Sequence, residues 1–136
     1  MDIKIRRCKN SDRELYNLLE KEYISTYYKK WDKKDFNKDW KRNCNKLFII
    51  LKNRKKIGTF VLENHKGYLY LSRFNILSKY RNMGIGSYLL KIFDKKSDKI
   101  RLHVWPQNPA LKLYERFGYK TIKKENNGKL LMEKIR

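Results

Sequence analysis

Residues 80–90 read Tyr-Arg-Asn-Met-Gly-Ile-Gly-Ser-Tyr-Leu-Leu, and our prediction of the fold starts from this stretch. Gly84 and Gly86 lack a Cβ, so the backbone can turn tightly there and let a ligand approach its N–H groups. The apolar residues from Ile85 to Phe93 recur at helical spacing, which predicts that the loop leads directly into a helix. Because a helix N-terminus carries unsatisfied N–H donors and a positive dipole end, the stretch favours a bound pyrophosphate. Taken alone, a Gly-x-Gly pair is weak evidence for such a site, and an ordinary strand-to-helix turn explains it better.

The composition is that of one folded domain. The chain has 136 residues, 40% hydrophobic and 14% aromatic, and we predict a single domain over residues 1–136. No apolar run approaches the length of a membrane span, and the N-terminus alternates like a strand without an apolar signal-peptide core. We therefore predict a cytoplasmic protein with no membrane partner. Cys8 and Cys44 have no metal-type spacing, so we expect free thiols and no metal site.

The net charge of +21 is the strongest compositional bias. It suggests nucleic-acid binding, and a basic surface would also attract an anionic nucleotide cofactor. However, the chain has 25 lysines beside many Asn, Ile and Tyr residues, a bias that AT-rich coding DNA would impose on any protein. The basic residues are also spread along the chain instead of forming one tail. Nucleic acid therefore stays an alternative partner that we do not favour.

The first half of the chain predicts a strand, helices and a hairpin. Residues 2–7 alternate like a strand, and the capping-box spacing at residues 11–14 begins an amphipathic helix. Residues 23–45 contain no Gly or Pro and predict one or two helices, with Phe36 and Trp40 on a common face. Residues 47–51 and 57–62 predict two strands joined by a polar turn.

The next strand changes its alternation in the middle. Leu69 and Leu71 share one parity, whereas Phe74 and Ile76 share the other. Because a strand keeps one face by strict alternation, this slip of one residue predicts a β-bulge just before the glycine loop.

The second half predicts a helix at residues 88–96 and a strand at residues 100–104. Asn108-Pro109-Ala110 is typical of a helix start, and Gly118 is typical of a helix end. Residues 119–124 and 129–135 predict a closing hairpin around Asn126-Asn127-Gly128. The predicted order is β-α-α-β-β-β-α-β-α-β-β, an α/β fold with helices on both faces of the sheet.

Two linked motifs resemble the GNAT acyltransferase superfamily. Its acyl-CoA motif, Arg/Gln-x-x-Gly-x-Gly/Ala, fits Arg81, Gly84 and Gly86. Its downstream helix motif fits a second set of residues: Asn108, Ala110, Leu113, Tyr114, Gly118 and Tyr119. The resemblance implies a mixed, mostly antiparallel sheet of 6–7 strands, with the bulged strand leading into a CoA-binding loop.

The resemblance also implies acetyl-CoA as the cofactor and assigns residues to it. Backbone N–H groups of the loop would hold the pyrophosphate, next to Arg81 of the motif: Asn82, Met83, Gly84, Gly86 and Ser87. Backbone groups of Ile76 and Ser78 would pair with the pantetheine arm, and the Ile76 N–H would polarise the reacting carbonyl. Asn108 would hydrogen-bond the same arm, although its role as a helix cap is sufficient to explain it.

Tyr114 and His103 are the predicted catalytic residues. Tyr114 stands where the family commonly has the tyrosine that protonates the departing CoA thiolate, and Tyr114 would lie close to the cofactor. His103 points away from Leu102 and Val104 and titrates near neutrality, so it is the favoured general base. Some family members have a glutamate at this position. Glu63 is a weaker alternative, and at Tyr70, where other branches place a catalytic glutamate, this chain has no carboxylate.

We therefore predict an N-acetyltransferase that acts on a primary amine of a small molecule or peptide through a ternary complex. Tyr28, Trp31 and Tyr70 are predicted to contact the acceptor, although the aromatic residues from Tyr23 to Trp40 are as readily explained by packing of helices on the sheet. Alternatives are acetylation of an amine carried by RNA, such as aminoacyl-tRNA, and a non-catalytic CoA- or nucleic-acid-binding module. Both monomer and homodimer are compatible with the sequence.

Overall fold

The computed structural model describes residues 2–27 and 31–136. In that part, the chain forms seven strands and four α-helices in the predicted order. The strands are β1 (Ile3–Arg7), β2 (Leu47–Lys52), β3 (Lys55–His65), β4 (Tyr68–Ile76), β5 (Lys99–Val104), β6 (Lys120–Lys124) and β7 (Leu130–Ile135). The helices are α1 (Arg13–Tyr27), α2 (Lys33–Asn43), α3 (Ile85–Asp94) and α4 (Ala110–Arg116). Across residues 2–27 and 31–136, every helix is too short or too polar to cross a membrane.

The strands form one sheet with the order β1-β2-β3-β4-β5-β7-β6. Neighbours β1/β2, β2/β3, β5/β7 and β6/β7 are antiparallel, whereas β4 and β5 are parallel. The predicted mixed, mostly antiparallel sheet is therefore confirmed. Backbone contacts group the chain into two compact units, one built from residues up to Val61 with Arg73–Arg81 and the other from Leu62–Ser72 with Asn82–Arg136.

In the first unit, α1 and α2 share an aromatic core. Tyr16 of α1 is fully buried and its ring lies 5.9 Å from that of Phe36 and 5.8 Å from that of Trp40. Leu47 and Val61 complete this cluster from the strands. Phe36 and Trp40 thus face the core together, as their spacing of four residues predicts.

The start of α1 differs from the predicted capping box. A short 3₁₀ turn, Asn10–Asp12, precedes α1, and the Asp12 carboxylate accepts a hydrogen bond of 2.8 Å from the Lys9 N–H. The helical segment therefore begins two residues earlier than the Ser11–Glu14 pattern indicates. Its start is held by the Asp12 carboxylate, which is buried and also pairs with Arg6 of β1 and Lys56 of β3.

Arg73 explains the slip in the alternation of β4. It lies between Leu71 and Phe74 and has φ +51, a left-handed conformation that is uncommon for a residue with a side chain. The Thr59 hydroxyl donates a hydrogen bond of 2.9 Å to the Arg73 carbonyl. The backbone of β4 therefore departs from regular strand geometry at the position that the sequence pattern indicated.

The Arg73 guanidinium is held by a polar cluster of the first unit. It lies 2.9 Å from Asp39, 3.0 Å from the Tyr16 hydroxyl and 3.5 Å from Glu20. Burial alone would lower the pKa of Arg73, but Tyr16, Asp39 and Glu20 raise it by stabilising the charged form. A left-handed arginine persists only where the surroundings hold it in place, and this cluster does so.

In the second unit, strict alternation separates a buried and a polar face. Leu69 and Leu71 of β4 pair with Ile100 and Leu102 of β5, and all four are buried. The alternate positions of the same two strands carry polar or amphipathic side chains, which are only partly buried: Tyr68, Tyr70, Arg101 and His103. These side chains therefore lie together on the opposite face.

Candidate functional site

The glycine loop has the conformation expected of an anion-binding turn. Asn82 has φ +61 and Gly84 has φ +80, so both are left-handed. Helix α3 begins directly afterwards, and the Tyr88 N–H donates to the Gly84 carbonyl at 3.0 Å. The N–H groups of the first helical turn have no acceptor within a helix, which makes the start of α3 suited to a phosphate group.

Gly86 has a packing role in addition to its predicted cofactor contact. A Cβ at this position would lie 3.1 Å from Cδ2 of Leu113, closer than most carbon contacts allow. Helices α3 and α4 therefore approach each other closely at Gly86. The second glycine of the motif is thus accounted for by helix packing as well as by ligand access.

Arg81 binds groups of the first unit. Its Nε donates a hydrogen bond of 2.9 Å to the Ile76 carbonyl, and its guanidinium pairs with Glu22 at 2.8 Å. The Arg81 N–H also donates to the Ser78 carbonyl at 3.1 Å. Arg81 therefore holds the end of β4 and fixes the backbone on which Ile76 and Ser78 lie.

The Asn108 side chain caps the start of α4, but the helix begins one residue later than predicted, at Ala110 instead of Pro109. Its Oδ1 accepts a hydrogen bond of 2.9 Å from the Ala110 N–H, and helix α4 begins at Ala110. Pro109 lies just before the first helical residue. Its fixed φ suits the start of a helix, and its missing N–H costs no hydrogen bond there.

Tyr114 lies on α4 and is buried, with 7% of its surface exposed. Its ring meets that of Tyr119 at 5.7 Å and an angle of 60°. The Tyr119 hydroxyl is buried and has no hydrogen-bond partner among the described residues. Burial, with smaller contributions from Asp94 and Tyr114, raises the pKa of Tyr119, so its hydroxyl stays protonated.

His103 lies in the middle of a chain of hydrogen bonds. Its Nδ1 is 2.5 Å from the Tyr70 hydroxyl, and its Nε2 is 2.9 Å from Oε2 of Glu125. Lys123 lies 3.2 Å from the other oxygen of Glu125. The predicted base is therefore held on both sides, by a hydroxyl and by a carboxylate.

The surroundings of this chain are aromatic and charged. The Tyr68 ring stacks on the His65 ring, with 5.0 Å between the ring centroids. The Cζ atom of the Arg101 guanidinium lies over the Tyr68 ring, 4.5 Å from its centroid. Arg101 also pairs with Glu133 at 2.7 Å. This polar face of the second unit thus brings together a proton acceptor, hydroxyl groups and paired charges.

The three predicted acceptor residues have different outcomes. Tyr28 lies outside the described residues. Trp31 is partly buried and packs against the aromatic core, with its ring 6.1 Å from that of Phe36. Tyr70 is partly exposed and lies next to His103. Of the two described residues, Tyr70 is the one that joins the polar face around the predicted base.

Glu125 is the member of the site that the sequence pattern missed. It immediately precedes the Asn126-Asn127-Gly128 turn. It is 22 residues from His103 along the chain, and the pairing depends on how the closing hairpin meets β5. Glu63, the weaker alternative base, lies on β3 and is partly buried.

The two cysteines have structural surroundings. Both are free thiols, as expected, and both pack against the aromatic core of the first unit. Burial raises the pKa of Cys8 to about 11, so this thiol is protonated at neutral pH and a poor nucleophile.

Comparison with known proteins identifies a matching family model and solved structures with a similar fold. A family model described as an acetyltransferase (GNAT) domain matches residues 15–131, whereas no curated protein sequence matches the chain. Among solved structures, PaiA N-acetyltransferase from Thermoplasma acidophilum in complex with coenzyme A is 22% identical, with 100% of both chains covered and a TM-score of 0.75. A GNAT-family acetyltransferase from Staphylococcus aureus is 18% identical, with 98% of both chains covered and a TM-score of 0.74. An Arabidopsis thaliana protein in complex with the bisubstrate analogue CoA-Ac-MVNAL is 20% identical, with 100% of both chains covered and a TM-score of 0.69.

Proposed function

The chain belongs to the GNAT acetyltransferase family, and on that basis we propose that it is an acetyl-CoA-dependent N-acetyltransferase acting on a primary amine. Membership confirms the predicted family and the class of enzyme. The main observation in support of this reaction is that the His103 imidazole is held between the Tyr70 hydroxyl and the Glu125 carboxylate. An amine must lose a proton to become a stable amide, and this arrangement supplies a proton acceptor.

The residues of the glycine loop fit the diphosphate of CoA. Asn82 and Gly84 are left-handed, so the loop exposes its backbone, and the first turn of α3 offers N–H donors to an anion. Acetyl-CoA would supply the activated acetyl group as a thioester. The residues that we propose for its binding are those of the family motif: Ile76, Ser78, Arg81, Asn82, Met83, Gly84, Gly86, Ser87 and Asn108.

The proton path from the amine runs through Tyr70. Both ring nitrogens of His103 are within hydrogen-bond distance of protein groups, so the imidazole reaches the substrate through the Tyr70 hydroxyl. Tyr70 accepts the proton at Oη and passes its own proton to Nδ1 of His103. His103 is therefore the proposed base and Tyr70 the group that contacts the amine.

Tyr114 is the proposed general acid. Its hydroxyl would hold a proton at Oη and donate it to the departing sulfur, which is the role that the family motif gives to a tyrosine at this position. The tilted contact with Tyr119 orients its ring. This assignment follows the family motif and the buried position of Tyr114 on α4.

A peptide or small-molecule amine is the proposed acceptor. The Arabidopsis thaliana protein of the same fold binds the analogue CoA-Ac-MVNAL, which supports a peptide amine as one class to test. Tyr70 is partly exposed on the polar face and is the described residue best placed to meet the amine. Trp31 and Tyr28 remain proposed acceptor contacts.

Titration calorimetry with acetyl-CoA tests the cofactor. We expect Gly84→Trp to weaken binding by about 10- to 100-fold, because the indole blocks the loop and removes hydrogen bonds to a charged ligand. Gly67→Trp is the matched control. Gly67 is also left-handed, at φ +89, and a Cβ there would meet no atom within 4 Å on the exposed turn before β4. Equal affinity of both variants for acetyl-CoA would show that the glycine loop is not part of the acetyl-CoA site.

A turnover assay with a panel of small-molecule and peptide amines then tests the activity. The proposal requires release of free CoA that depends on the amine. A wild-type protein that binds acetyl-CoA and acetylates no member of the panel would be a binding module, and the proposed function would be wrong.

Tyr114→Phe is expected to lower kcat by about 10²-fold with the KM for acetyl-CoA within about twofold, because it removes a proton donor and little contact area. Tyr119→Phe is the control. It removes a buried hydroxyl that has no partner among the described residues, so kcat should not change. Steady-state kinetics on both variants decides the role, and equal activity in Tyr114→Phe would exclude Tyr114 as the acid.

A further inference from the structure

The hydrogen bonds around His103 define which ring nitrogen carries the proton. Glu125 is held as a carboxylate, because hydrogen bonds from His103 and from Lys123 lower its pKa. A carboxylate only accepts hydrogen bonds, so Nε2 of His103 carries the hydrogen in the contact of 2.9 Å. In the neutral imidazole, Nδ1 is then the acceptor, and the Tyr70 hydroxyl donates to it.

We propose that Glu125 is a positioning residue of the reaction, acting through His103 to make Nδ1 the proton acceptor. The inference rests on the proposed function and adds a residue from the closing hairpin to it. The amine nitrogen would form the new N–C bond as the C–S bond of the thioester breaks, and the sulfur would leave as the thiol with the proton of Tyr114. In the same reaction the amine loses a proton to Oη of Tyr70, and the Tyr70 proton moves to Nδ1. Nε2 keeps its hydrogen, so the positive charge ends on His103 beside the Glu125 carboxylate, which stabilises it.

The hairpin turn holds Glu125 in place. The Glu125 N–H donates to the Lys129 carbonyl at 2.8 Å, and the Gly128 N–H donates to the Glu125 carbonyl at 3.0 Å. A Cβ on Gly128 would lie 3.5 Å from the ring of Trp105, which directly follows β5. The turn therefore packs against the end of the strand that carries His103, and the carboxylate is oriented before any substrate binds.

Other charged groups near His103 are engaged elsewhere. Arg101 of β5 pairs with Glu133 of β7, and its guanidinium lies over Tyr68. The residue of β7 that pairs with His103 is the apolar Leu131. His65 meets the edge of Tyr70, and Lys123 of β6 contacts Glu125. Among the residues described, Glu125 is thus the acidic side chain that bonds the imidazole.

Kinetics of Glu125→Gln tests the role in catalysis. The amide keeps the shape and can still accept from Nε2, but it removes the negative charge. We expect kcat to fall at least about tenfold with the KM for acetyl-CoA within about twofold. Without the carboxylate, the positive charge that forms on His103 is less stabilised, so the acidic limb of the pH–rate profile should move to lower pH.

Two further variants separate this role from a structural one. Glu125→Asp keeps the charge and should retain the position of the acidic limb. Lys124→Ala removes an exposed lysine of β6 and leaves Glu125 and its partners in place, so its kcat should stay within about twofold of wild type. A merely structural Glu125 would lower the melting temperature of Glu125→Gln and leave the acidic limb where it is in the wild type, and that result would overturn the proposal.

NMR of the imidazole nitrogens gives a readout that needs no substrate. The chain has 2 histidines, so His65→Gln assigns the signals of His103. We expect neutral His103 to carry its hydrogen on Nε2 in the wild type and to carry more of it on Nδ1 in Glu125→Gln, because an amide oxygen is a weaker acceptor than a carboxylate and the amide NH₂ can also donate. Hydrogen on Nδ1 in the wild type, or the same tautomer ratio in both proteins, would overturn the proposal even in an active enzyme. A wild-type protein without turnover would refute the proposed function. The NMR result would still test the effect of Glu125 on His103, because it does not depend on turnover.

Discussion

Replacing His103 by alanine is expected to lower kcat by about 10²- to 10⁴-fold, the range that a general base contributes. The imidazole joins the Tyr70 hydroxyl to the Glu125 carboxylate, and the substitution removes the group that we propose to accept the proton of that hydroxyl. The KM for acetyl-CoA should stay within about twofold, because His103 is not among the residues proposed to bind it. Steady-state kinetics with saturating amine measures both quantities.

The other histidine provides the control. His65 is exposed and stacks on Tyr68, so His65→Ala should leave kcat within about threefold of wild type. Tyr70→Phe should reproduce much of the loss seen for His103→Ala, because the proposed proton path passes through the Tyr70 hydroxyl. Wild-type kcat in His103→Ala would show that water or another group accepts the proton.

Asp12→Asn is expected to destabilise the protein by about 3 kcal/mol, because it breaks a buried ion pair from one side. The Asp12 side chain is fully buried and lies 2.7 Å from Arg6 and 3.0 Å from Lys56. It also accepts from the Lys9 N–H at 2.8 Å. An amide at this position would direct its NH₂ group towards donors, and urea denaturation measures the resulting loss of unfolding free energy.

An exposed ion pair provides the control for Asp12. Asp98 pairs with Arg136 at 2.7 Å, but its side chain is 81% exposed, so Asp98→Asn should change the unfolding free energy by less than about 1 kcal/mol. Equal effects of the two substitutions would contradict a buried ion pair at Asp12.

The stabilisation from Asp12 also depends on pH. Burial by itself would raise the pKa of Asp12, but hydrogen bonds from Arg6, Lys9 and Lys56 hold it well below its usual value. A carboxylate with a lowered pKa contributes its full stabilisation above the pKa of the unfolded chain, about 4, and loses it as the pH falls towards the folded value. Wild type should therefore lose stability on acidification below about pH 4 more steeply than Asp12→Asn.

Local patterns predicted most of the fold because they act over a few residues. The Asn108 cap, the hairpin turn at Gly128 and the alternation of β5 each depend on neighbours in the sequence, and all three are present. The change of parity between Leu71 and Phe74 likewise marked Arg73, whose backbone is left-handed. The pattern did not indicate why Arg73 is tolerated there, because its partners on α1 and α2 lie 57 and 34 residues away in sequence.

Four features could be predicted from the amino-acid sequence. They are the order of strands and helices, the glycine loop before α3, the family, and the place of His103 on the polar face of β5. The hydrogen-bond partners of His103 could not be predicted, because they depend on how distant segments meet. Tyr70 and Glu125 lie 33 and 22 residues away and come from β4 and from the turn between β6 and β7. The sheet order β4-β5-β7-β6 places strands side by side that are not consecutive in the chain. Periodicity and capping report only on contacts within one element or one turn, so no local rule could pair an acidic hairpin residue with a histidine on another strand.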